Sequence, residues 1–345
     1  MIAIAKTKPE KGFEIIKKDI PKINDDEILI EVKFASICGS DVHAYVWDEW
    51  AKEEFNEFPR IIGHEIGGIV VEKGKNVKNL EIGDFVAIES HFWCNECYNC
   101  KVGNFHVCKN MKILGFGVDG GFANYLRIPY RNAIKVPNNI KKEFVPLMEP
   151  MGNAVDSVLA EDISSKNVLI VGCGPIGLMA TAICKICGAN KVITMDINEN
   201  RLHISKIMGS AYLINPNKDN VYEKVMEITD NTGVDVILEF SGSSEGFKSA
   251  IKTIVEGGRV SLLGLYSKPF EFDFNNYFIM KNLRIYGIIG RKIYSTWFKT
   301  INLINKIDLT PIISHRIKLE DFEKGFEDIL NGRAIKVLFE ISWKL

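Results

Sequence analysis

The chain has 345 residues, of which 46% are hydrophobic and 25% charged, and its formal net charge is −1. This length allows two domains, the composition is ordinary for a water-soluble protein, and the near-zero charge excludes a field that would recruit nucleic acid or an anionic membrane. The apolar runs are too short to span a bilayer and the N-terminal residues lack a signal or transit pattern, so we expect a cytoplasmic protein.

The first part of the chain is predicted to be rich in β-strands. Residues 27–34 alternate apolar and polar side chains, which is typical of a half-buried strand. Similar runs at 66–72, 85–88 and 122–128 are separated by turns that contain glycine. This pattern predicts a barrel-like β domain.

From about Glu149 onward, strand and helix signals alternate. The predicted segments lie at 153–161, 168–171, 176–187, 191–196, 201–208, 211–215, 221–229, 234–240, 246–255 and 259–264. This alternation predicts an α/β domain with a parallel sheet and crossover helices. After about Gly290 the pattern becomes helical and ends in a strand at 336–341, which we expect to return to the first domain.

The turn after the strand at 168–171 carries a complete G-x-G-x-x-G motif at Gly172, Gly174 and Gly177. It follows a strand, opens a helix and is followed by Asp196 at the end of the next strand, the context that a dinucleotide site requires. Asp196 would bind the ribose hydroxyls and repel a 2′-phosphate, which favours NAD over NADP. Arg201 is close enough in sequence to cover the adenine. A structural glycine turn without a ligand is the alternative.

Four of the eight cysteines fall within fifteen residues, as Cys94-x2-Cys97-x2-Cys100-x7-Cys108. In a reducing compartment this clustering favours a metal site over disulfides. Four thiolates can close a tetrahedron around Zn²⁺ and leave no position for substrate, which is typical of a structural site. An iron–sulfur cluster is the alternative, although its usual cysteine spacings differ.

A second, scattered set of candidate ligands comprises Cys38, His64, Glu65 and Glu149. Cys and His are suitable zinc ligands, and a carboxylate can complete the shell. Mixed ligands with an exchangeable position are typical of a catalytic zinc, which would lower the pKa of a bound alcohol so that the alkoxide passes hydride to nicotinamide. Spacing alone also allows these to be ordinary core or surface residues.

The chain resembles the zinc-containing medium-chain dehydrogenases. The resemblance is carried by segments 38–43 (CGSDVH) and 63–65 (GHE), the four-cysteine loop and the glycine motif. The resemblance covers essentially the whole chain. It implies a GroES-like β-barrel catalytic domain (residues 1–150 and 292–345) that carries both zinc sites. It also implies a doubly wound Rossmann domain (residues 151–291) that binds NAD, two zinc ions per chain and a homotetramer.

By motif, the resemblance assigns the catalytic zinc to Cys38, His64 and Glu65, with Glu149 as an intermittent ligand that exchanges with substrate or water. Further contacts to NAD would come from Ile176, Leu263, Gly264, Leu265, Ile288, Ile289 and Arg291. The last of these would reach the cofactor phosphates or the substrate carboxylate, and a surface salt bridge is its alternative role.

Ser40 and His43 would relay a proton through the cofactor ribose to solvent, which needs a hydroxyl and an imidazole that titrates near neutral pH. His91 matches a residue linked to substrate discrimination, with an ordinary loop histidine as the alternative. Asp156 stands where a histidine is expected, and it would either pair with a substrate ammonium group or lie on a surface helix.

Four stretches are similar to the family members that oxidise the 3-hydroxyl of L-threonine to 2-amino-3-oxobutanoate with NAD; they are residues 47–50, 152–155, 290–291 with 296–297, and 310–316. The nearest alternative is a polyol or 2,3-butanediol dehydrogenase with the same zinc and NAD chemistry, because CGSD is also common there. A catalytically inactive protein on this fold is a further alternative, but such proteins usually lose zinc ligands. The predicted partner is a small molecule.

Overall fold

The computed structural model describes residues 1–55 and 57–342, and it divides into two compact units. The first unit comprises Met1–Glu149, Lys292–Asn305 and the described residues from Ile313 onward. The second comprises Pro150–Arg291 and Lys306–Ile312. That the first unit is the catalytic domain and the second the NAD-binding domain remains a prediction.

The strands are β1 (Ile2–Lys6), β2 (Glu14–Lys17), β3 (Glu27–Ser36), β4 (Arg60–Ile61), β5 (Glu65–Lys73), β6 (Phe85–Ile88), β7 (His91–Phe92), β8 (Lys112–Ile113), β9 (Tyr125–Pro129), β10 (Ala133–Lys135), β11 (Asn167–Val171), β12 (Lys191–Met195), β13 (Tyr212–Ile214), β14 (Val234–Glu239), β15 (Ile254–Leu262), β16 (Arg284–Gly287), β17 (Ile313–Lys318) and β18 (Lys336–Glu340). The α-helices are α1 (Gly39–Val46), α2 (Glu49–Glu54), α3 (Tyr98–Lys101), α4 (Met148–Val158), α5 (Pro175–Ile186), α6 (Glu199–Ile207), α7 (Val221–Ile228), α8 (Ser244–Ala250), α9 (Ser295–Ile304) and α10 (Phe322–Leu330).

The first unit is built around β3. In the described residues the main sheet has the order β10-β6-β5-β3-β18-β17, and β9 also pairs with β3. Ile28, Ile30 and Val32 alternate along β3 and enter the buried core of this unit, because side chains two apart on a strand share a face. The predicted alternation at 27–34 is therefore confirmed, and the strand continues to Ser36.

The second unit contains a parallel sheet with the order β13-β12-β11-β14-β15-β16 among the described residues. The strand β11 lies inside it, with Val168 opposite Val192 of β12 and Val236 of β14. Every residue of β11 is buried, as expected for a strand whose two faces are both covered. The predicted α/β architecture is confirmed, with β13 and β16 as the two edges of the sheet.

The C-terminal strand returns to the first unit, as predicted. In β18, Phe339 lies opposite Ala35 of β3 in an antiparallel pair. The strand β17, which pairs in parallel with β18, was not predicted. Residues 306–312 also differ from the prediction, since they group with the second unit, where the turn Thr310–Ile312 contacts α6.

No helix within residues 1–55 and 57–342 combines the length and apolar character needed to cross a membrane.

Candidate active site

The glycine motif forms the sharp turn between β11 and α5. Gly172 has a positive φ of 94°, which favours glycine, and Gly177 is packed so closely that a Cβ there would lie 1.9 Å from the carbonyl oxygen of Gly172. Gly174 is the N-cap of α5, and a Cβ there would meet no atom within 4 Å. The space beside Gly174 is thus open to a ligand, and the unpaired N–H groups of the helix start favour an anionic one.

Asp196 follows β12 and is held by the backbone on both sides. One carboxylate oxygen accepts a hydrogen bond of 2.6 Å from the N–H of Cys173, and the other accepts one of 2.8 Å from Asn198. Asp196 and Arg201 line a cavity of about 690 Å³ together with Gly172 and Gly174. A carboxylate fixed beside the glycine turn fits the ribose of a dinucleotide.

The remaining predicted NAD contacts are spread over the second unit. Ile176 is half-buried in the first turn of α5, whereas Leu265 and Ile289 are exposed. The other backbone positions are anchored by hydrogen bonds: the N–H groups of Leu263 and Gly264 donate to Glu239, and that of Ile288 donates to Leu262. These six residues are not among those that line the cavity beside Asp196 in the described chain.

Arg291 is fully buried, so its alternative role in a surface salt bridge is wrong. Its guanidinium donates a hydrogen bond of 3.1 Å to the side-chain oxygen of Asn153. A Cβ on Gly152 would lie 2.5 Å from Cδ of Arg291, so the adjacent Gly152-Asn153 pair is shaped around this side chain. Asp156, on the same helix, is half-buried.

The four-cysteine loop gathers its sulfur atoms within 4.8 Å of one another. The Sγ of Cys97 lies 3.5 Å from that of Cys100, and the Sγ of Cys108 lies 3.5 Å from that of Cys94. Zinc–sulfur bonds of about 2.3 Å in a tetrahedron place the sulfurs roughly 3.8 Å apart, so the loop fits one zinc ion. Sulfurs this close leave no room for the several irons of an iron–sulfur cluster.

Backbone donors already favour thiolates in this loop. The N–H groups of Glu96 and Cys97 point at the sulfur of Cys94 and lower the pKa of that thiol to about 6. Burial instead raises the pKa of the Cys100 thiol to about 12, so this thiol would lose its proton only when a metal ion binds to the sulfur.

The structure brings Cys38, His64 and Glu65 together, with one ligand atom from each within 4.8 Å of the others. Cys38 immediately precedes α1, and Glu65 begins β5 directly after His64. Glu149, at the start of α4, does not belong to this group of atoms, although its negative charge acts on Glu65. The scattered ligands of the sequence therefore form one cluster of three, with a further carboxylate nearby.

Asp41 supports two of these residues at once. One of its oxygens accepts a hydrogen bond of 2.9 Å from the N–H of Cys38, and the other lies 3.4 Å from Nδ1 of His64. A carboxylate behind a histidine is the usual outer partner of a metal ligand. Burial disfavours a charged imidazole, yet Asp41 and Cys38 raise the pKa of His64 well above its usual value.

Lys336, the first residue of β18, is buried against Glu65. Its ammonium donates a hydrogen bond of 2.6 Å to Glu65 and one of 2.9 Å to the carbonyl of Ile37, and Ser36 donates to the same carboxylate. Burial opposes the charge on Lys336, but the anions around it, Glu65 first, raise its pKa. Two buried cationic groups with raised pKa values indicate an excess of negative charge, which a divalent cation would compensate.

The predicted relay residues lie on α1. The hydroxyl of Ser40 is 3.4 Å from Nε2 of His64, and the ring of His43 is exposed and hydrogen-bonded to the carboxylate of Asp48. No hydrogen bond joins Ser40 directly to His43 in the part of the chain that the structure describes. His91 is buried beside Ser90, whose hydroxyl donates a hydrogen bond of 2.8 Å to Glu149.

Sequence reasoning missed the residues that support this cluster. Asp41 is a carboxylate three residues after Cys38 in the CGSD segment, so the sequence could have indicated it as a residue that supports Cys38. Lys336 carries no local signal, because its partner Glu65 lies far away in the chain.

Comparison with known proteins agrees with this architecture. Residues 24–138 match the model of the alcohol dehydrogenase GroES-like domain, and residues 175–306 match that of zinc-binding dehydrogenases. The chain belongs to the zinc-binding, medium-chain dehydrogenase family, and its cofactors are zinc and a nicotinamide dinucleotide.

Within that family, the chain is 45% identical over 345 residues to the L-threonine 3-dehydrogenase of Pyrococcus furiosus, covering 99% of each protein. Among solved structures, an alcohol dehydrogenase of Escherichia coli complexed with NADH has a TM-score of 0.89 and 27% identity over 99% of both chains. The 2R,3R-butanediol dehydrogenase of Bacillus subtilis has a TM-score of 0.88 and 26% identity, covering 98% of this chain and 99% of the other.

Proposed function

We propose that this chain is an NAD-dependent dehydrogenase that oxidises the 3-hydroxyl of L-threonine to 2-amino-3-oxobutanoate. The observation that carries the proposal is the convergence of Cys38, His64 and Glu65, in a chain that is 45% identical to a threonine dehydrogenase over nearly its whole length. A cluster of this composition can hold a catalytic metal, and the glycine turn with Asp196 can hold NAD.

In this proposal Cys38, His64 and Glu65 would hold the zinc, and Glu149 would be a ligand that can give way to the substrate. Zinc held there would lower the pKa of the threonine hydroxyl, and NAD held at the glycine turn would supply the acceptor for the hydride of C3. Asp41 keeps the ring of His64 oriented, and Lys336 balances the charge of Glu65. Ser90 holds the carboxylate of Glu149 through its hydrogen bond of 2.8 Å.

The hydroxyl proton would leave through Ser40, the cofactor ribose and His43. A serine hydroxyl can accept one proton while donating another, and an imidazole can pass it to water near neutral pH. The exposed ring of His43 suits the outer end of such a relay. The net reaction converts the alcohol and NAD⁺ to the ketone, NADH and one proton.

The second candidate function is oxidation of a polyol or of 2,3-butanediol. It is favoured by Ser40, which the polyol enzymes share, and by the structural likeness to the butanediol dehydrogenase. The two kinds of substrate differ because threonine carries an ammonium and a carboxylate group, which a diol or polyol lacks. For the amino acid, His91 is proposed to contact the substrate, Arg291 the carboxylate or the cofactor phosphates, and Asp156 the ammonium group.

A substrate screen tests the proposal. Purified enzyme with zinc and NAD is offered L-threonine, sorbitol or 2,3-butanediol, and NADH formation is followed by its absorbance. We expect the highest kcat/KM with L-threonine. Turnover of the diol or polyol without turnover of threonine would reject threonine as the substrate while retaining the class of enzyme.

We further propose that the enzyme is a homotetramer. One interface of such an assembly is supported by the edge strand β16, which pairs with β15 on one side and leaves Ile285 exposed, while Ile289 just beyond is also exposed. An open edge strand with apolar side chains is a template for pairing with another chain. We place the enzyme in the cytoplasm, because none of the eight cysteines forms a disulfide, which suits a reducing compartment. Its place in threonine breakdown follows from the proposed substrate.

A further inference from the structure

Glu89, in the loop between β6 and β7, is fully buried although it belongs to no motif. Its Oε1 accepts a hydrogen bond of 2.9 Å from the backbone N–H of His91 and lies 2.7 Å from Nδ1 of the same histidine. Its Oε2 accepts a hydrogen bond of 2.6 Å from the indole N–H of Trp297, which is 1% exposed. One carboxylate thus holds the backbone and the ring of His91.

These contacts determine which ring nitrogen of His91 carries the proton. The backbone N–H and the indole N–H can only donate, so each oxygen of Glu89 accepts a hydrogen bond, and an ionised carboxylate has no proton to give to Nδ1. The contact with Nδ1 is then made by a proton on Nδ1. A neutral imidazole with its proton on Nδ1 has a free lone pair on Nε2, and Nε2 makes no hydrogen bond to any described residue.

The residue that precedes His91 contacts a candidate zinc ligand. This residue, Ser90, donates to Glu149, and the charge of Glu149 acts on Glu65. Asn132 fixes this stretch from behind, since its side-chain amide donates to the carbonyls of Glu89 at 2.9 Å and His91 at 2.7 Å. The position and the hydrogen-bonding state of the imidazole are both built into the fold.

We propose that Glu89 is a positioning residue that makes His91 a hydrogen-bond acceptor for the ammonium group of an amino alcohol. The inference rests on the proposed function and deepens it, because it names what distinguishes threonine from a diol. An acceptor nitrogen backed by a buried carboxylate attracts a cationic donor, and a charge-assisted hydrogen bond of this kind is stronger than a neutral one.

The first test is the protonation state of His91 in the zinc-loaded enzyme, read from ¹⁵N chemical shifts of labelled histidine. The signal is assigned by its loss in His91→Asn. We expect the Nδ1-protonated form in the wild type and its conversion to the Nε2-protonated form in Glu89→Gln, whose amide can donate to Nδ1. A wild-type ring with its proton on Nε2 would overturn the proposal, whether or not any variant folds.

The matched control is Trp297→Phe, which removes the donor to the other oxygen of Glu89 and leaves both contacts with His91. We expect it to lower the melting temperature and to keep the Nδ1-protonated form. If Trp297→Phe and Glu89→Gln shift the ring equally, Glu89 is only part of the packing, and the proposal fails.

Kinetics supply the second readout. Because the ammonium is bound equally before and during the chemical step, Glu89→Gln should raise KM for L-threonine about tenfold or more and change kcat little. Glu89→Asp, which keeps the charge, should restore part of the loss. A fall in kcat with unchanged KM would contradict the assignment. If the wild type does not oxidise threonine, the proposed function fails, and the ¹⁵N shifts still decide the state of His91.

Discussion

The three clustered ligands Cys38, His64 and Glu65 lie on different local structures. A single ligand can therefore be replaced with little effect on the folding of the chain. Cys38 is only half-buried, and the four-cysteine site is a distinct cluster. Losing one ligand should therefore affect the metal more than the fold.

We expect Cys38→Ala and His64→Ala each to reduce kcat/KM by roughly a thousandfold or more, since the catalytic metal supplies several kcal/mol of stabilisation to the reacting oxygen. Their melting temperatures should stay within a few degrees of the wild type. NADH formation and thermal unfolding measure the two effects. Cys187→Ala is the control, because Cys187 is half-buried on the other unit and should leave both unchanged. Global unfolding of His64→Ala would contradict the separation.

The pair of Lys336 with Glu65 makes a second prediction at this scale. Both side chains are almost fully inaccessible, so Lys336→Met leaves an uncompensated carboxylate in the core. Breaking a buried pair in this way costs about 3–5 kcal/mol of unfolding free energy. Denaturant unfolding measures it, and Lys33→Met is the matched control, because Lys33 pairs with Glu31 at a half-exposed position where such pairs contribute about 0–1 kcal/mol. Equal losses in the two variants would show that burial does not set the cost.

How much of the site is predictable depends on how far apart the partners are in sequence. Cys38, His64 and Glu65 could be named from short segments that resemble a family. Lys336 could not be paired with Glu65, because a salt bridge across 271 positions leaves no local pattern. The burial of Arg291 was missed for the same reason, since its fit against Gly152 exists only after folding.

At the scale of the elements, the turn between β11 and α5 offers a matched comparison of two glycines. In Gly177→Ala the new methyl would lie 1.9 Å from a backbone oxygen, so we expect a large loss of stability together with loss of NAD binding. In Gly174→Ala the methyl meets no protein atom within 4 Å, so stability should be kept while NAD binding weakens at least tenfold. Thermal unfolding and calorimetric titration with NAD separate the two. Normal NAD affinity in Gly174→Ala would argue against a pyrophosphate beside this residue.

The four-cysteine loop should lose its metal on acidification. Without metal the Cys94 thiol has a pKa of about 6, so below that pH it must lose a proton before it can bind zinc. Protons then compete with zinc for this ligand, and in the presence of a chelator zinc release should rise as the pH falls below about 6. A colorimetric zinc assay combined with limited proteolysis of residues 94–108 would follow it. Equal release at neutral and acidic pH would contradict a proton-controlled step.

The elements predicted best from the sequence are those whose apolar residues follow one clear pattern. The buried run of β11 and the alternation of β3 were both identifiable, whereas β17 was not. Its sequence ISHRIK places Ser, His, Arg and Lys among two isoleucines, and its pairing with β18 depends on a strand more than twenty residues later. The structure of β17 therefore depends on its parallel pairing at the edge of the sheet and not on the pattern of its own side chains.

At the scale of the whole molecule, the edge strand β16 tests the proposed assembly. Ile285→Lys places a charge on an exposed edge residue, which should prevent pairing with another chain and yield smaller species. Sedimentation velocity measures the change. Ile207→Lys, an exposed position on α6, is the control and should leave the assembly intact. If Ile285→Lys sediments like the wild type, β16 is not the interface.

The late position of Lys336 also has a consequence for biosynthesis. The carboxylate of Glu65 acquires its ammonium partner, and β3 its neighbour β18, only after residues 336–340 have been synthesised and have left the ribosome. A nascent chain that already contains every candidate zinc ligand still carries an unneutralised anion at the place where the ion is to bind. Translation stopped before residue 336 should therefore give a product that misfolds, although all of its candidate metal-binding residues are present.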